Sequence, residues 1–351
     1  MIANPILAIK GMYFHYWLAL FTTAFCANML GLNISASFNS AITIYIVIPL
    51  LIIPMMVLSG AMFSFDKLNR KIGNVDKVPL IAEFMPTRWT YEALIVSQFK
   101  DNEYSKRVFT TSGETYYDLQ KKISEADFNK VHRIKVLRDA LETTLFEYRS
   151  NPKNIGNSQD LVLKKQTRNF SKLQLLRNEL EKMTIVYNVP AFNYISDLTP
   201  YEFNPGIADS VTKYLNRMER IFSKISNTAS DRRDLFYNMN DLLLKKLEDD
   251  YYNYKLLEIV TKPYERKKIL VYKNTLVQNT DPIYLDPYKR GFLDFRTHFY
   301  APSKYIFGMK TDTFMFNISL VLLGSVVLYL ALYFELLGKA VSFIENLKFR
   351  K

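Results

Sequence analysis

Charged and apolar positions are segregated along this chain rather than mixed. From Gly11 to Phe65 there is no Asp, Glu, Lys or Arg, and from Thr313 to Phe334 there is again none. Everything between those tracts is crowded with charge. A helix crossing a bilayer needs roughly 20 apolar residues to traverse a hydrocarbon layer about 30 Å thick. The first tract therefore predicts two crossings, about Tyr13–Leu32 and Ala41–Phe63, and the second predicts one, about Thr313–Leu337. Gly31 closes the first span, and Asn33, Ser35, Ser37, Asn39 and Ser40 form a short polar loop between the two. The second span carries Pro49 and Pro54, which kink a helix by removing backbone donors, and ends near Gly60.

After the polar stretch Asp66–Lys77, Val78–Phe99 becomes amphipathic again. It contains Arg88 and Glu92, so it does not span; it lies at the interface or dips into the outer leaflet as a re-entrant pair of helices, with Arg88, Trp89 and Glu92 as interfacial structural residues. Arg88 and Glu92 stand at i, i+4, the spacing of an ordinary helix-surface ion pair. The rest of the insert reads as long helices, about Tyr116–Tyr148, Ser158–Tyr187, Gly206–Asn227 and Asp231–Val260. They are parted at Asn151-Pro152, Val189–Pro205 and Asn227–Ser230, with Ser230 and Asp231 offering a cap. Leu235, Met239, Leu242, Leu243, Leu247 and Tyr251 recur at helical spacing, as in a bundle. Ile269–Val277 is strand-like, and Phe292–Tyr305 is aromatic and basic, suiting an interfacial lead into the last span.

The fold class expected is an all-α membrane protein: three transmembrane helices, an inserted extracytoplasmic helical bundle and a short β-like segment. The domain boundaries are 1–65 for the transmembrane hairpin, 66–105 for the interfacial helices, 106–310 for the extracytoplasmic domain and 311–351 for the last span and its tail.

The formal charge of +12 raises nucleic acid as a partner, and its placement argues against one. Lys10, Lys339, Lys348, Arg350 and Lys351, with Glu335 and Glu345, are the charged residues outside Asp66–Asp312, which leaves 41 basic and 32 acidic residues inside it. That net +9 is spread over helices carrying both signs, as on a solvated surface. Lipid headgroups fit better than nucleic acid as an anionic partner. Long loops translocate largely regardless of charge, so orientation follows the basic residues flanking the spans. Lys339, Lys348, Arg350 and Lys351 place the tail in the cytoplasm, and three crossings then put the N-terminus and the insert outside, as expected of a chain whose earlier part lies upstream. Cys26 is the single cysteine and sits in the first span, so no intrachain disulfide forms.

No G-x-x-x-x-G-K-[ST] phosphate loop occurs, so ATP is not bound in the common way by this chain. His15, His132 and His298 are isolated and have no metal-ligand spacing. Asp249-Asp250 lies on a charged helix with no apolar pocket to perturb it. No enzyme active site, cofactor or metal is expected.

The string VIPLLIIPMMVLSGAMFSFDKL (Val47–Leu68), followed by MPTRWTYEAL (Met85–Leu94), resembles the permease half of a type-2 ABC exporter of the ABCG-like class. The step Ser59-Gly60 and the run Tyr91–Leu94 carry the likeness, and Gly31–Ser35 is similar to the turn before the family's fifth helix. The resemblance covers about Gly11–Lys100 and Thr311–Lys351 and implies the last three of six family helices. It implies an ATPase nucleotide-binding domain as partner, holding ATP and Mg, together with a missing N-terminal transmembrane half, a homodimer when complete, and contact with membrane lipid. It further implies cavity positions near Ile53 and Met56 and a plug near Ala61 and Met62, although alanine departs from a bulky plug. The family usually carries a compact external loop where this chain has its long insert. The function implied is the permease part of an ATP-driven exporter in a bacterial inner membrane, multi-pass, with the insert on the periplasmic side. The alternative is a membrane-anchored sensor or tether whose helical domain binds a ligand or protein.

Overall fold

A computed structural model describes residues 9–38, 40–65, 76–108, 113–150, 159–187, 189–288, 291 and 294–348. In chain order the helices are α1 (Tyr13–Ser37), α2 (Ala41–Val57), α3 (Leu80–Glu83), α4 (Pro86–Lys100), α5 (Tyr116–Phe128), α6 (Ile134–Arg149), α7 (Gln159–Tyr187), α8 (Pro205–Tyr251) and α9 (Tyr254–Thr261). The hairpins β1 (Ile269–Tyr272) with β2 (Thr275–Gln278), and β3 (Ser303–Ile306) with β4 (Met309–Asp312), precede α10 (Thr313–Tyr333) and α11 (Leu336–Lys348). The chain is mostly helical, as expected, and divides into two compact units.

The first unit comprises residues 1–107, 243–260 and 289–351. Among the described residues, α1 and α10 are long and apolar enough to cross a membrane, and α2 is a shorter apolar helix of 17 residues. At 1.5 Å per residue α2 is about 26 Å long, short of the hydrocarbon thickness by roughly one turn. Three expected boundaries move. Helix α1 does not stop at Leu32 but continues to Ser37, because Asn33 Nδ2 and Ser37 Oγ bond to carbonyls four residues back, at 2.8 and 2.6 Å to Met29 O and Asn33 O. Helix α2 stops at Val57 rather than Phe63: Ser59 Oγ donates to Met56 O at 2.7 Å, and Gly60 takes φ +82°. Helix α10 ends at Tyr333, where Glu335 at φ +52° turns the chain into α11. The β3–β4 hairpin, turning through Phe307 and Gly308 at positive φ, was not legible in the aromatic stretch before the last span.

The second unit comprises residues 108–242 and 261–288. Its core gathers Leu137, Leu141, Leu176, Leu180, Met183, Val211, Leu215 and Phe222. The expected single helix from Tyr116 is capped by a reciprocal Thr115–Asp118 box and contains a π-helical turn, Asn129–Arg133. That turn sits beside a buried ion pair: Arg133 Nε lies 3.5 Å from Glu179 Oε2, while Glu179 Oε1 accepts the Leu276 N–H at 2.7 Å. The β1–β2 turn places Lys273 and Asn274 both at positive φ, the type I′ geometry that matches strand twist. Tyr117 Oη donates to Ile283 O at 2.6 Å, and burial pushes its phenol well above the usual value. The break expected at Asn227–Ser230 does not exist. Helix α8 passes through it unbroken, because Ala229 packs beneath Leu119 and Ile123, and Ser230 and Asp231 cap nothing. The break at Asn151-Pro152, the helix start at Ser158, most of Asp66–Lys77 and Phe292 lie outside the described residues.

Candidate functional site

Helix α4 begins with Pro86 at its first position, where a missing N–H costs nothing, after Met85 in an extended conformation. It lies against α1 and α10. Ala19 and Ala93 are both fully buried between them, with Phe314 and Ile318; small residues let helices approach closely. Polar pairs tie the same face: Tyr16 Oη donates to Gln98 Oε1 at 2.7 Å, and the Thr23 and Thr90 hydroxyls meet at 2.7 Å. Trp89 packs on Cys26, Phe316 and Val321. These contacts run from Tyr16 to Cys26, so α4 follows about 15 Å of α1.

The polar centre of this packing is a buried ion cluster. The side chains of Arg88, Glu92 and Lys304 are all at 0 % exposure, so Arg88 and Glu92 are not the ordinary helix-surface pair that their spacing also allowed. Glu92 Oε2 is approached by Lys304 Nζ at 3.0 Å, by Asn317 Nδ2 at 3.0 Å and by Arg88 Nη2 at 3.4 Å. Lys304 Nζ also donates to Thr297 Oγ1 at 3.0 Å, and Asn317 Nδ2 to Trp89 O at 3.0 Å. Glu83 Oε2 sits 3.1 Å from Arg88 Nη1, and its Oε1 lies 3.5 Å from Arg296 Nε. The Arg88 guanidinium lies over the Trp89 ring at 3.8 Å from its centre. Three cations face two carboxylates, so the cluster carries one net positive charge. A buried cation survives only when paired, and here the pairing is made by residues from α3, α4, β3 and α10. The arrangement is a clasp: it fixes α4 against the first turn of α10.

The second-span residues stand differently. Pro49 and Pro54 lie inside α2, and every residue of Ala41–Val57 is at least partly exposed. Ile53 and Met56 are exposed, as are Ala61 and Met62 beyond the helix. The end of α2 is fixed from α4, since Thr87 Oγ1 donates to Met55 O at 2.8 Å, satisfying one of the carbonyls a helix end leaves open. At Gly60 the Phe299 ring stands where a side chain would begin, 2.5 Å from an ideal Cβ. Phe299 in turn stacks with Tyr91 and packs edge-on against Phe65.

The structure thus brings Arg88, Trp89 and Glu92 together and leaves Ile53, Met56, Ala61 and Met62 apart from them. Sequence reasoning missed Lys304, Asn317, Glu83 and Phe299. A lysine inside an aromatic stretch and an asparagine one turn into an otherwise apolar helix were the available signals, since each is costly there without a partner. Among the described residues no group of three or more His, Cys, Asp or Glu is placed to hold a metal ion.

No curated protein and no solved structure matches the chain. Residues 1–99, which carry α1, α2, α3 and nearly all of α4, match the family model described as ABC-2 type transporter, and that match supports a membrane transporter permease.

Proposed function

We propose that the chain is the transmembrane permease part of an ATP-driven ABC exporter of the ABCG-like class. The observation that carries this reading is the family match over residues 1–99. Its second support is α2, whose apolar surface, with Tyr45, Ile46, Leu50, Ile53 and Met56 exposed, is left without a partner among the described residues. An apolar helix with two prolines on an exposed face fits a position lining a path between two copies. In that reading Ile53 and Met56 face the cavity, Ala61 and Met62 stand at its outer mouth, and α4 is a re-entrant helix locked by Arg88, Trp89 and Glu92. ATP and Mg belong to a nucleotide-binding partner. The insert, 106–310, lies on the periplasmic side of a bacterial inner membrane, between the interfacial helices, 66–105, and the last span and tail, 311–351.

The test is to extract the tagged chain in mild detergent from the cells that make it, assay ATP hydrolysis in the purified material, and oxidise single cysteines placed at Ile53 or Met56 with Cys26 replaced. An ATPase that copurifies, together with crosslinking between copies at those positions, is expected. A monomer without ATPase activity and without crosslinks would favour the anchored sensor or tether instead.

A further inference from the structure

A helix that faces water buries its apolar side chains and exposes its charges. The segment Val78–Phe99, which carries α3 and nearly all of α4, does the reverse. Its charged residues are Glu83, Arg88 and Glu92, whose side chains are at 8 %, 0 % and 0 % exposure. Its exposed residues are Leu80, Ile81 and Phe84, at 56 %, 50 % and 77 %. All three stand on α3 or at its end, while Ala82 among them is buried against Phe65 and Val78. The short helix turns its apolar side out and its carboxylate in, the distribution of a segment in hydrocarbon, where ionisable groups face the protein interior and pair.

Depth and backbone bonding agree with that distribution. Helix α4 runs antiparallel to α10: Lys100 Nζ reaches Asp312 Oδ1 at 2.6 Å at one end, and Trp89 packs on Phe316 and Val321 at the other. Phe316 and Val321 are the fourth and ninth residues of α10, about 5 to 12 Å from its start at 1.5 Å per residue. Helix α1 gives the same order, with Tyr16 meeting Gln98, Thr23 meeting Thr90 and Cys26 meeting Trp89. Helix α3 stands beside the deep end of α4, where Glu83 O accepts the Trp89 Nε1–H at 2.8 Å. In a hydrocarbon layer about 30 Å thick, that end lies nearer the middle than the surface. Lipid offers no partner to a backbone N–H, so a chain turning there must satisfy its own. Ala82 N–H bonds to Pro79 O at 3.0 Å, Phe84 N–H to Ile81 O at 3.3 Å, Met85 N–H to Ala82 O at 3.1 Å and Arg88 N–H to Met85 O at 3.2 Å. Pro79 and Pro86 have no N–H to satisfy.

We infer that Leu80, Ile81 and Phe84 are the tip of a re-entrant hairpin and pack among phospholipid acyl chains deep in the leaflet in which α10 begins. The partner of this surface is hydrocarbon, not the headgroup layer. Acyl chains cover one side of α3 while Glu83, on the same helix, holds its other side to Arg88 at 3.1 Å. The inference rests on α10 crossing the bilayer and is independent of what is transported.

The experiment uses the full chain with Cys26→Ala and Phe84→Cys, labelled with bimane and reconstituted into phosphatidylcholine nanodiscs. These carry phosphatidylcholine with a doxyl group near the methyl end or near the headgroup end of its acyl chain, at equal fraction. Quenching by the methyl-end group is expected to exceed quenching by the headgroup-end group by about twofold, as for a probe nearer the middle of the hydrocarbon layer than its surface. Iodide in the buffer should leave the fluorescence unchanged, and Leu80→Cys labelled in the same way should behave alike. Equal or stronger quenching by the headgroup-end group puts α3 at the interface and overturns the inference. Quenching by iodide alone overturns it in favour of a water-filled path, and protection from all three quenchers overturns it in favour of a second copy or another protein on α3. A parallel label at Leu323→Cys, the exposed eleventh residue of α10, separates the two levels: if that position is not quenched by either lipid, it is the membrane crossing of α10 that fails, and the inference falls with it.

Discussion

Replacing Glu92 with Gln preserves volume and removes the one carboxylate on which Lys304, Arg88 and Asn317 converge. Arg88 keeps Glu83 at 3.1 Å, but Lys304 is left with Thr297 Oγ1 and a neutral amide oxygen where its counter-charge stood. Stranding a buried charge in this way costs about 3–5 kcal/mol. Deprotonation sets a ceiling, because a lysine of ordinary pKa about 10.4 gives up its proton at pH 7 for about 5 kcal/mol. For a unit of this size that range corresponds to a loss of about 10 °C in apparent melting temperature, measured by heating the detergent-solubilised chain and following the monodisperse peak on size exclusion. Lys304→Met alone should destabilise less, because Glu92 keeps Arg88 at 3.4 Å and Asn317 at 3.0 Å, and the double variant should recover most of the Glu92→Gln loss, since removing both partners is close to neutral. Losses that simply add, or a Glu92→Gln change worth less than about 1 kcal/mol, would refute the reasoning, because Lys304 would then reach water or another partner.

Three further outcomes follow from local geometry. Gly60→Ala should destabilise by about 2–4 kcal/mol in the same melting assay, combining a left-handed backbone with a Cβ driven into the Phe299 ring; Phe299→Ala in that background should recover only the steric part. Arg133→Leu removes the buried partner of Glu179 and leaves it Lys182 Nζ at 3.8 Å, at a cost of about 3 kcal/mol, and hydrogen exchange at the Leu276 amide, which donates to Glu179, should quicken. Thr115→Ala removes the reciprocal cap of α5 and should cost about 1 kcal/mol, seen as faster exchange confined to the first turn of that helix.

The apolar tracts were legible because an uncompensated charge in them would be prohibitive, and their absence of charge survives any detail of packing. Their ends were not. Asn33 and Ser37 read as loop residues, yet both bond back to their own helix, and Asn33 Nδ2 also reaches Leu328 O at 2.9 Å across to α10, a partner no local window contains. Asn227–Ser230 read as a break because small polar residues favour turns; here Ala229 is small because Leu119 and Ile123 pack on it. The i, i+4 spacing of Arg88 and Glu92 was visible, but their burial depends on Lys304 and Asn317, more than two hundred residues further along.

That separation bears on how the chain tolerates its insert. The residues that fix α4 against α10 come from both sides of the second unit: Glu83, Arg88 and Glu92 precede it, and Arg296, Lys304 and Asn317 follow it. Closing a long loop costs only about 0.6 kcal/mol for each doubling of its length, less than the cost of separating one buried charge of the cluster from its partner. A clasp of this kind sets the register of α4 on α10 whatever lies between them. Lengthening or replacing the inserted unit should therefore leave the Glu92–Lys304 pairing in place, whereas Glu92→Gln should loosen α4 even when the insert is untouched.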